Sequence, residues 1–145
     1  MDRPDNPAHT GPERRAMTVA ELLEEAREGL ARLSPQEAHE AALDGAALVD
    51  IRSDKQRLED GNIACATSIP RNVLEWRLDP ACPHRDARLA RRDQVVIVLC
   101  DEGYQSSLAA ATLRRFGLDA ADVVGGFQAW RAAGLPVERR VPSAG

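Results

Sequence analysis

Five consecutive aliphatic residues, Val95-Val96-Ile97-Val98-Leu99, run directly into Cys100. An aliphatic run of this length, with no polar alternation, predicts a strand buried on both faces, as in a parallel sheet. Parallel strands need helical crossovers between them, and the flanking sequence supplies helical patterns. After Cys100-Asp101-Glu102-Gly103-Tyr104-Gln105-Ser106, helical periodicity resumes at Ser107. It continues through Leu108, Ala111, Leu113 and Phe116, with Gly117 placed as a C-cap.

Shorter strands are expected at 46–51 (AALVDI), 64–69 and 121–124 (ADVV). Thr18 and Glu21 have capping-box spacing ahead of Leu22, Leu23, Ala26 and Leu30, which predicts an amphipathic helix over 18–30. A second box, Ser34 with Glu37 and Pro35 at the first helical position, predicts a helix to about Leu43 that stops near Gly45. Residues 55–60 and 72–78 read as short helices and 79–83 as loop. A last helix is expected from Phe127 to Ala133 behind the Gly125-Gly126 turn. Alternating strands and helices give an α/β class. Residues 1–17, polar and Pro-rich, read as a disordered tail, 18–30 as an added helix, 31–138 as the domain and 139–145 as a C-terminal tail.

Composition excludes several functions. The net charge is −4, which does not favour nucleic-acid or anionic-membrane binding. No apolar run approaches the roughly 18 residues of a membrane span, and the first residues carry no apolar leader. The local basic run Arg85, Arg88, Arg91 and Arg92 reads as a solvated face. Cys65, Cys82 and Cys100 form no CxxC pair, so neither a disulfide framework nor structural zinc is expected. His9, His39 and His84 show no metal-ligand spacing. Neither a metal nor an organic cofactor is expected, and a cytoplasmic location follows as the default for reduced thiols.

Cys100 sits where open α/β sheets bind ligands, outside the carboxyl end of a strand. Backbone N–H groups at the following helix's N-terminus carry partial positive charge and stabilise a thiolate or bound anion. Such placement lowers a cysteine pKa below its free value of about 8.5. Gly103 permits a curled loop that aims successive amides at one point. This arrangement suits a persulfide, Cys–S–S⁻.

Three segments carry a resemblance to the rhodanese-like domain family. Leu48-Val49-Asp50-Ile51-Arg52 resembles the family's early strand ending in Asp-x-Arg. Val95 to Cys100, with Gly103 and Ser106, resembles the active-site strand and its six-residue loop. Val123-Val124-Gly125-Gly126-Phe127-Gln128-Ala129-Trp130, then Gly134-Leu135-Pro136-Val137, resembles the closing segment. The resemblance spans 31–138. It implies a five-stranded, mostly parallel sheet flanked by helices, here with an extra N-terminal helix. It implies sulfane-sulfur transfer through a persulfide on Cys100, from a small-molecule or protein donor to a thiol acceptor or cyanide. It further implies that the amides of Asp101, Glu102, Gly103, Tyr104, Gln105 and Ser106 cradle the outer sulfur, with Asp50 and Arg52 in support. Oligomeric state is left open.

The sequence also departs from the family pattern. Gln105 stands where many members carry Arg, and Gly61-Asn62-Ile63-Ala64-Cys65-Ala66 replaces Gly-His-Ile-Pro-Gly-Ala. Asp101 and Glu102 put two carboxylates beside the nucleophile. Unit charges about 5 Å apart interact by roughly 1 kcal/mol even at an effective dielectric near 60. The dianion thiosulfate is therefore expected to be a weak donor, and a protein or low-molecular-weight persulfide a better one.

Asp50 and Arg52 are expected to form an ion pair that fixes the next segment, with Glu59 as a further partner. Arg71 and Arg77 are expected on helix surfaces, Cys65 as a small packing residue, and Trp76 and Trp130 in or near the core. Cys82 has no partner the sequence can name. A phosphatase on the same fold would need Arg where Ser106 stands. The alternative to catalysis is a binding or sensing module built on the fold.

Overall fold

The computed structural model describes residues 15–139. Helix α1 (Val19–Arg27) leads into strand β1 (Ala31–Leu33) and helix α2 (Pro35–Leu43). Then come β2 (Ala47–Asp50), α3 (Asp54–Asp60) and β3 (Ala66–Ser68). A 3₁₀ turn (Arg71–Val73) passes into α4 (Leu74–Leu78), and β4 (Val95–Leu99) follows. The chain ends with α5 (Gln105–Arg115), β5 (Asp119–Val123) and α6 (Gly126–Ala132). The strands form one sheet in the order β1-β5-β4-β2-β3, and every pair is parallel.

β4 lies at the centre, as its composition demands. Val96, Ile97, Val98 and Leu99 are fully buried, and only Val95 at the entrance is exposed. Alternate side chains serve opposite faces. Val96 and Val98 join Val49, Leu74, Leu78 and Leu113 in one core. Ile97 and Leu99 join Leu48, Ala38, Phe127 and Trp130 in the other. Trp130 anchors the second core, donating its indole N–H to the Pro136 carbonyl at 3.0 Å and meeting the His39 ring edge-on.

Both expected capping boxes form. Thr18 and Ser34 accept from the amides of Glu21 and Glu37, whose carboxylates reach back to the cap N–H groups. Those backbone hydrogen bonds hold both glutamates below the usual carboxylate range. A third box, Ser53 with Gln56, starts α3 one residue before the expected helix.

The structure differs from the sequence expectations in several places. Strand β1 was not foreseen. It is three residues long, it pairs with β5, and it completes the five-stranded sheet. α1 stops at Arg27 rather than running to Leu30, because Gly29 takes a positive φ of 68°. β5 starts earlier, at Asp119, and β2 and β3 are shorter than their apolar runs. α5 starts at Gln105, two residues ahead of Ser107. Trp76 is exposed on the five-residue α4, whose buried positions are Leu74 and Leu78. The expected tails fall almost wholly outside the described residues, which exclude 1–14 and 140–145. Among the described residues, no helix is long and apolar enough to cross a membrane.

Candidate active site

The sheet's strand order reverses between β2 and β4, and a crevice opens at such a switch point beyond the carboxyl ends. A cleft of about 540 Å³ lies there. Its walls come from the segments after β2 (Ile51 to Asp54), after β3 (Pro70 to Asn72) and after β4 (Cys100 to Gln105). Its size suits a small ligand.

Cys100 is buried in the floor, at 6% exposure. Its Sγ accepts the N–H of Gly103 at 3.1 Å and of Ser106 at 3.3 Å. The loop thus curls around the sulfur, as its sequence predicts. Among the described residues, the amides of Asp101, Glu102, Tyr104 and Gln105 have no protein acceptor. Glu102, Tyr104 and Gln105 are exposed, and successive backbone N–H groups left open at a cleft mouth are suited to an anion.

Glycine makes the curl possible at two places. Gly103 has φ 88°, and a Cβ there would come within 2.6 Å of the Gly125 nitrogen. Gly126 has φ 59°, and its Cβ would lie 2.4 Å from the Cys100 carbonyl oxygen. Close approach at Gly126 lets the start of α6 grip the loop. The Phe127 N–H donates to the Cys100 carbonyl at 2.8 Å, and the Gln128 N–H to the Asp101 carbonyl at 3.0 Å. Gly126→Ala is therefore expected to push the loop off α6, costing about 2 kcal/mol or more and reducing Cys100 reactivity. Thermal unfolding and the rate of Cys100 alkylation would read both effects.

Behind the loop lies a polar network that the sequence analysis missed. Asp122, on β5, is fully buried. Its Oδ2 accepts the hydroxyls of Ser106 and Ser107, each at 2.8 Å. Arg32 on β1 bridges it, Nε to Oδ1 at 3.0 Å and Nη2 to Oδ2 at 3.2 Å. A signal was present: an aspartate inside a short buried strand needs a partner.

Asp50 and Arg52 form the expected ion pair, at 2.9 Å and buried on both sides. Arg52 also donates to the Gly61 carbonyl at 2.9 Å. Glu59 takes no part; it lies opposite Lys55 at 3.9 Å. The Arg52 guanidinium stacks 3.7 Å from the Phe127 ring centroid. That stacking offsets the burial of its Nη1, which has no hydrogen-bond partner among the described residues. The pair therefore joins the β2 end to α6 and supports the cleft wall rather than offering a free charge.

Asp101 and Glu102 lie at the cleft as the sequence implies, whereas Arg71, expected on a helix surface, and Asp54, not foreseen, line it too. Arg71 is the lining cation outside the Asp50–Arg52 pair. Arg71 is bound to Glu75 at 2.7 Å. Asp101 is held by the Gln128 amide at 3.0 Å. Arg77 donates to the His84 carbonyl and lies outside the cleft walls. Cys65 is exposed instead of packed, and partial desolvation of its sulfur pushes the thiol pKa up. Cys82 is half-buried, its sulfur accepting the His84 N–H at 3.4 Å.

Sheet, switch point and cysteine loop define an α/β protein with a buried thiol held by two loop amides at the floor of a cleft. The family model of the rhodanese-like domain matches residues 34–133, and the chain belongs to that family. It is 36% identical over 102 residues to the thiosulfate sulfurtransferase GlpE of Ectopseudomonas mendocina, covering 70% of this chain and 84% of that protein. Among solved structures it resembles RPA3614 of Rhodopseudomonas palustris, a protein of unknown function described as a possible tyrosine phosphatase. Identity there is 32% and the TM-score 0.78, over 88% of this chain and 99% of that one. A rhodanese-related protein of Thermoplasma volcanium shows 25% identity and a TM-score of 0.61, over 76% of this chain and 99% of that one. α1 and β1 precede the segment that the family model matches.

Proposed function

We propose that the protein is a sulfurtransferase that carries sulfane sulfur as a persulfide on Cys100. The observation that carries this reading is the Cys100 Sγ at the cleft floor, held by the Gly103 and Ser106 amides in a chain of this family. The thiolate attacks the outer sulfur of a donor R–S–SH or thiosulfate. A new S–S bond forms, and the donor's own bond to that sulfur breaks. Its electron pair leaves with the thiolate or sulfite. The outer sulfur then sits among the open amides of the loop. An acceptor thiolate, or cyanide, attacks it, and Cys100 departs as thiolate. Atoms and electrons balance without a redox partner, metal or organic cofactor.

Asp101 and Glu102 at the cleft oppose a dianion, Asp54 is paired with Arg57, and Arg71 is occupied by Glu75. We therefore assign the donor to persulfides, small or protein-borne, over thiosulfate. Thiosulfate brings both of its charges next to the reacting sulfur, whereas a persulfide R–S–S⁻ brings one there, so the repulsion at that sulfur is about halved.

The relative described as a possible tyrosine phosphatase invites comparison with phosphoryl chemistry. That chemistry needs a guanidinium at the end of the loop, where Ser106 stands with its hydroxyl on Asp122. The arginines nearest the loop backbone, Arg27 and Arg32, reach the Gly103 carbonyl instead. The site favours sulfur transfer.

The test is to expose the protein separately to thiosulfate and glutathione persulfide, then measure intact mass and steady-state transfer. We expect a gain of one sulfur atom from the persulfide donor, with kcat/KM at least about tenfold above that for thiosulfate. A thiosulfate KM in the low micromolar range would overturn the donor assignment. A folded protein that gains no sulfur from either donor would leave a non-catalytic binding module as the better reading.

A further inference from the structure

We propose that Arg27, on the helix that precedes the family-matched segment, is a positioning residue for the sulfur cradle. The proposal rests on the sulfurtransferase reading and concerns how the loop's amides are aimed.

Two guanidinium groups converge on one carbonyl. Arg27 Nη2 donates to the Gly103 oxygen at 3.0 Å, and Arg32 Nη2 donates to the same oxygen at 2.9 Å. A carbonyl oxygen has two lone pairs, so this one is saturated. Arg27 Nε also takes the Ser107 hydroxyl oxygen at 3.0 Å, and that hydroxyl donates onward to Asp122. Both arginines are thereby fixed at two points each, Arg32 through its fork on Asp122. The Tyr104 ring lies over the Arg27 guanidinium at 5.9 Å, which closes the outer side.

The consequence follows from the planarity of the peptide. No cis bond occurs among the described residues, so the Gly103 carbonyl and the Tyr104 N–H point in opposite directions. Pinning the carbonyl against the arginines turns the Tyr104 N–H away from them. Gly103 could rotate freely on its own, because glycine populates both signs of φ. The clamp removes that freedom at the one residue of the loop that has it. Two charge-assisted bonds to the oxygen also polarise the amide and strengthen its N–H as a donor. Among the described residues that N–H has no protein acceptor. It is free to bind the outer sulfur.

A tie that only held α1 to α5 would also place a hydrogen bond here, and the fold provides the control. Arg114 on α5 donates to the Glu28 carbonyl, at the end of α1, without touching the loop. Arg27→Ala, Arg27→Lys and Arg114→Ala should be compared with wild type for sulfur uptake from glutathione persulfide, thermal unfolding and amide hydrogen exchange over residues 101–106.

We expect Arg27→Ala to lower kcat about tenfold with KM nearly unchanged, the scale for losing a hydrogen bond to a charged group. Amide exchange in the loop should rise in that variant. Arg27→Lys should recover part of kcat, because its ammonium can reach one of the two acceptors. Arg114→Ala should keep wild-type kcat and loop exchange. Wild-type kcat and loop exchange in Arg27→Ala would overturn the proposal, as would equal losses in Arg27→Ala and Arg114→Ala. If wild type itself transfers no sulfur, the sulfurtransferase reading fails. Loop exchange then still decides whether Arg27 fixes the loop.

Discussion

Cys100→Ser is expected to lose sulfur transfer by about 10⁴-fold or more, the scale seen when a covalent nucleophile is removed. Serine keeps the shape of the site and can accept the same two amides, from Gly103 and Ser106. Its hydroxyl cannot become a persulfide, and it stays protonated at neutral pH. Because both N–H groups keep an acceptor, the fold should hold, with stability changed by no more than about 1 kcal/mol. Loss of turnover would then report chemistry and not unfolding. Cys65 is the thiol that could complicate the result, since it is exposed. Partial burial of its sulfur raises its pKa, which keeps the thiol protonated and a poor nucleophile at neutral pH. The assay is transfer from glutathione persulfide with intact-mass detection in both proteins. Turnover above a tenth of wild type in the folded variant would move the sulfur-carrying thiol away from Cys100.

How much of this site could be read from sequence depended on how local each determinant was. The strand Val95–Leu99 matches its apolar run residue for residue, because burial on both faces leaves no room for polar alternation. The two foreseen capping boxes formed because each is a contact across three residues. The curl of the loop was legible from Gly103 and from its place ahead of α5. Strand β1 was not. Ala31-Arg32-Leu33 is short and only partly buried, and it becomes a strand by pairing with β5, some ninety residues later in the chain. Its Arg32 carries half of the clamp on Gly103, so the clamp was hidden with it. Trp76 shows the opposite error. Residue type argued for burial, but a five-residue helix buries only Leu74 and Leu78 and leaves the indole in solvent. Cys65 misled for a related reason, because its small size says nothing about which way the turn before β3 faces.

Asp122→Ala is expected to be the most destabilising single change at the loop's back wall, costing about 3 to 5 kcal/mol. The carboxylate is fully buried and holds Arg32, Ser106 and Ser107 at once. Removing it leaves two buried hydroxyls and a largely enclosed guanidinium without their acceptor. At about 2 to 4 °C per kcal/mol for a chain of this size, the midpoint of thermal unfolding should drop by about 10 °C. Asp122→Asn should fall between the two, since it keeps an acceptor for the serines but not the charge. Most of the loss comes from stranding Arg32 and not from losing an attraction, so the double variant Asp122→Ala with Arg32→Leu should recover part of it. Calorimetric unfolding of wild type, Asp122→Ala, Arg32→Leu and the double variant, with Asp122→Asn beside them, tests this. Strict additivity would mean that Asp122 and Arg32 stabilise the chain independently. The network would then not be the cooperative support that lets a strand at one edge of the sheet, a helix outside the family-matched segment and the first turn of α5 hold one loop in one shape.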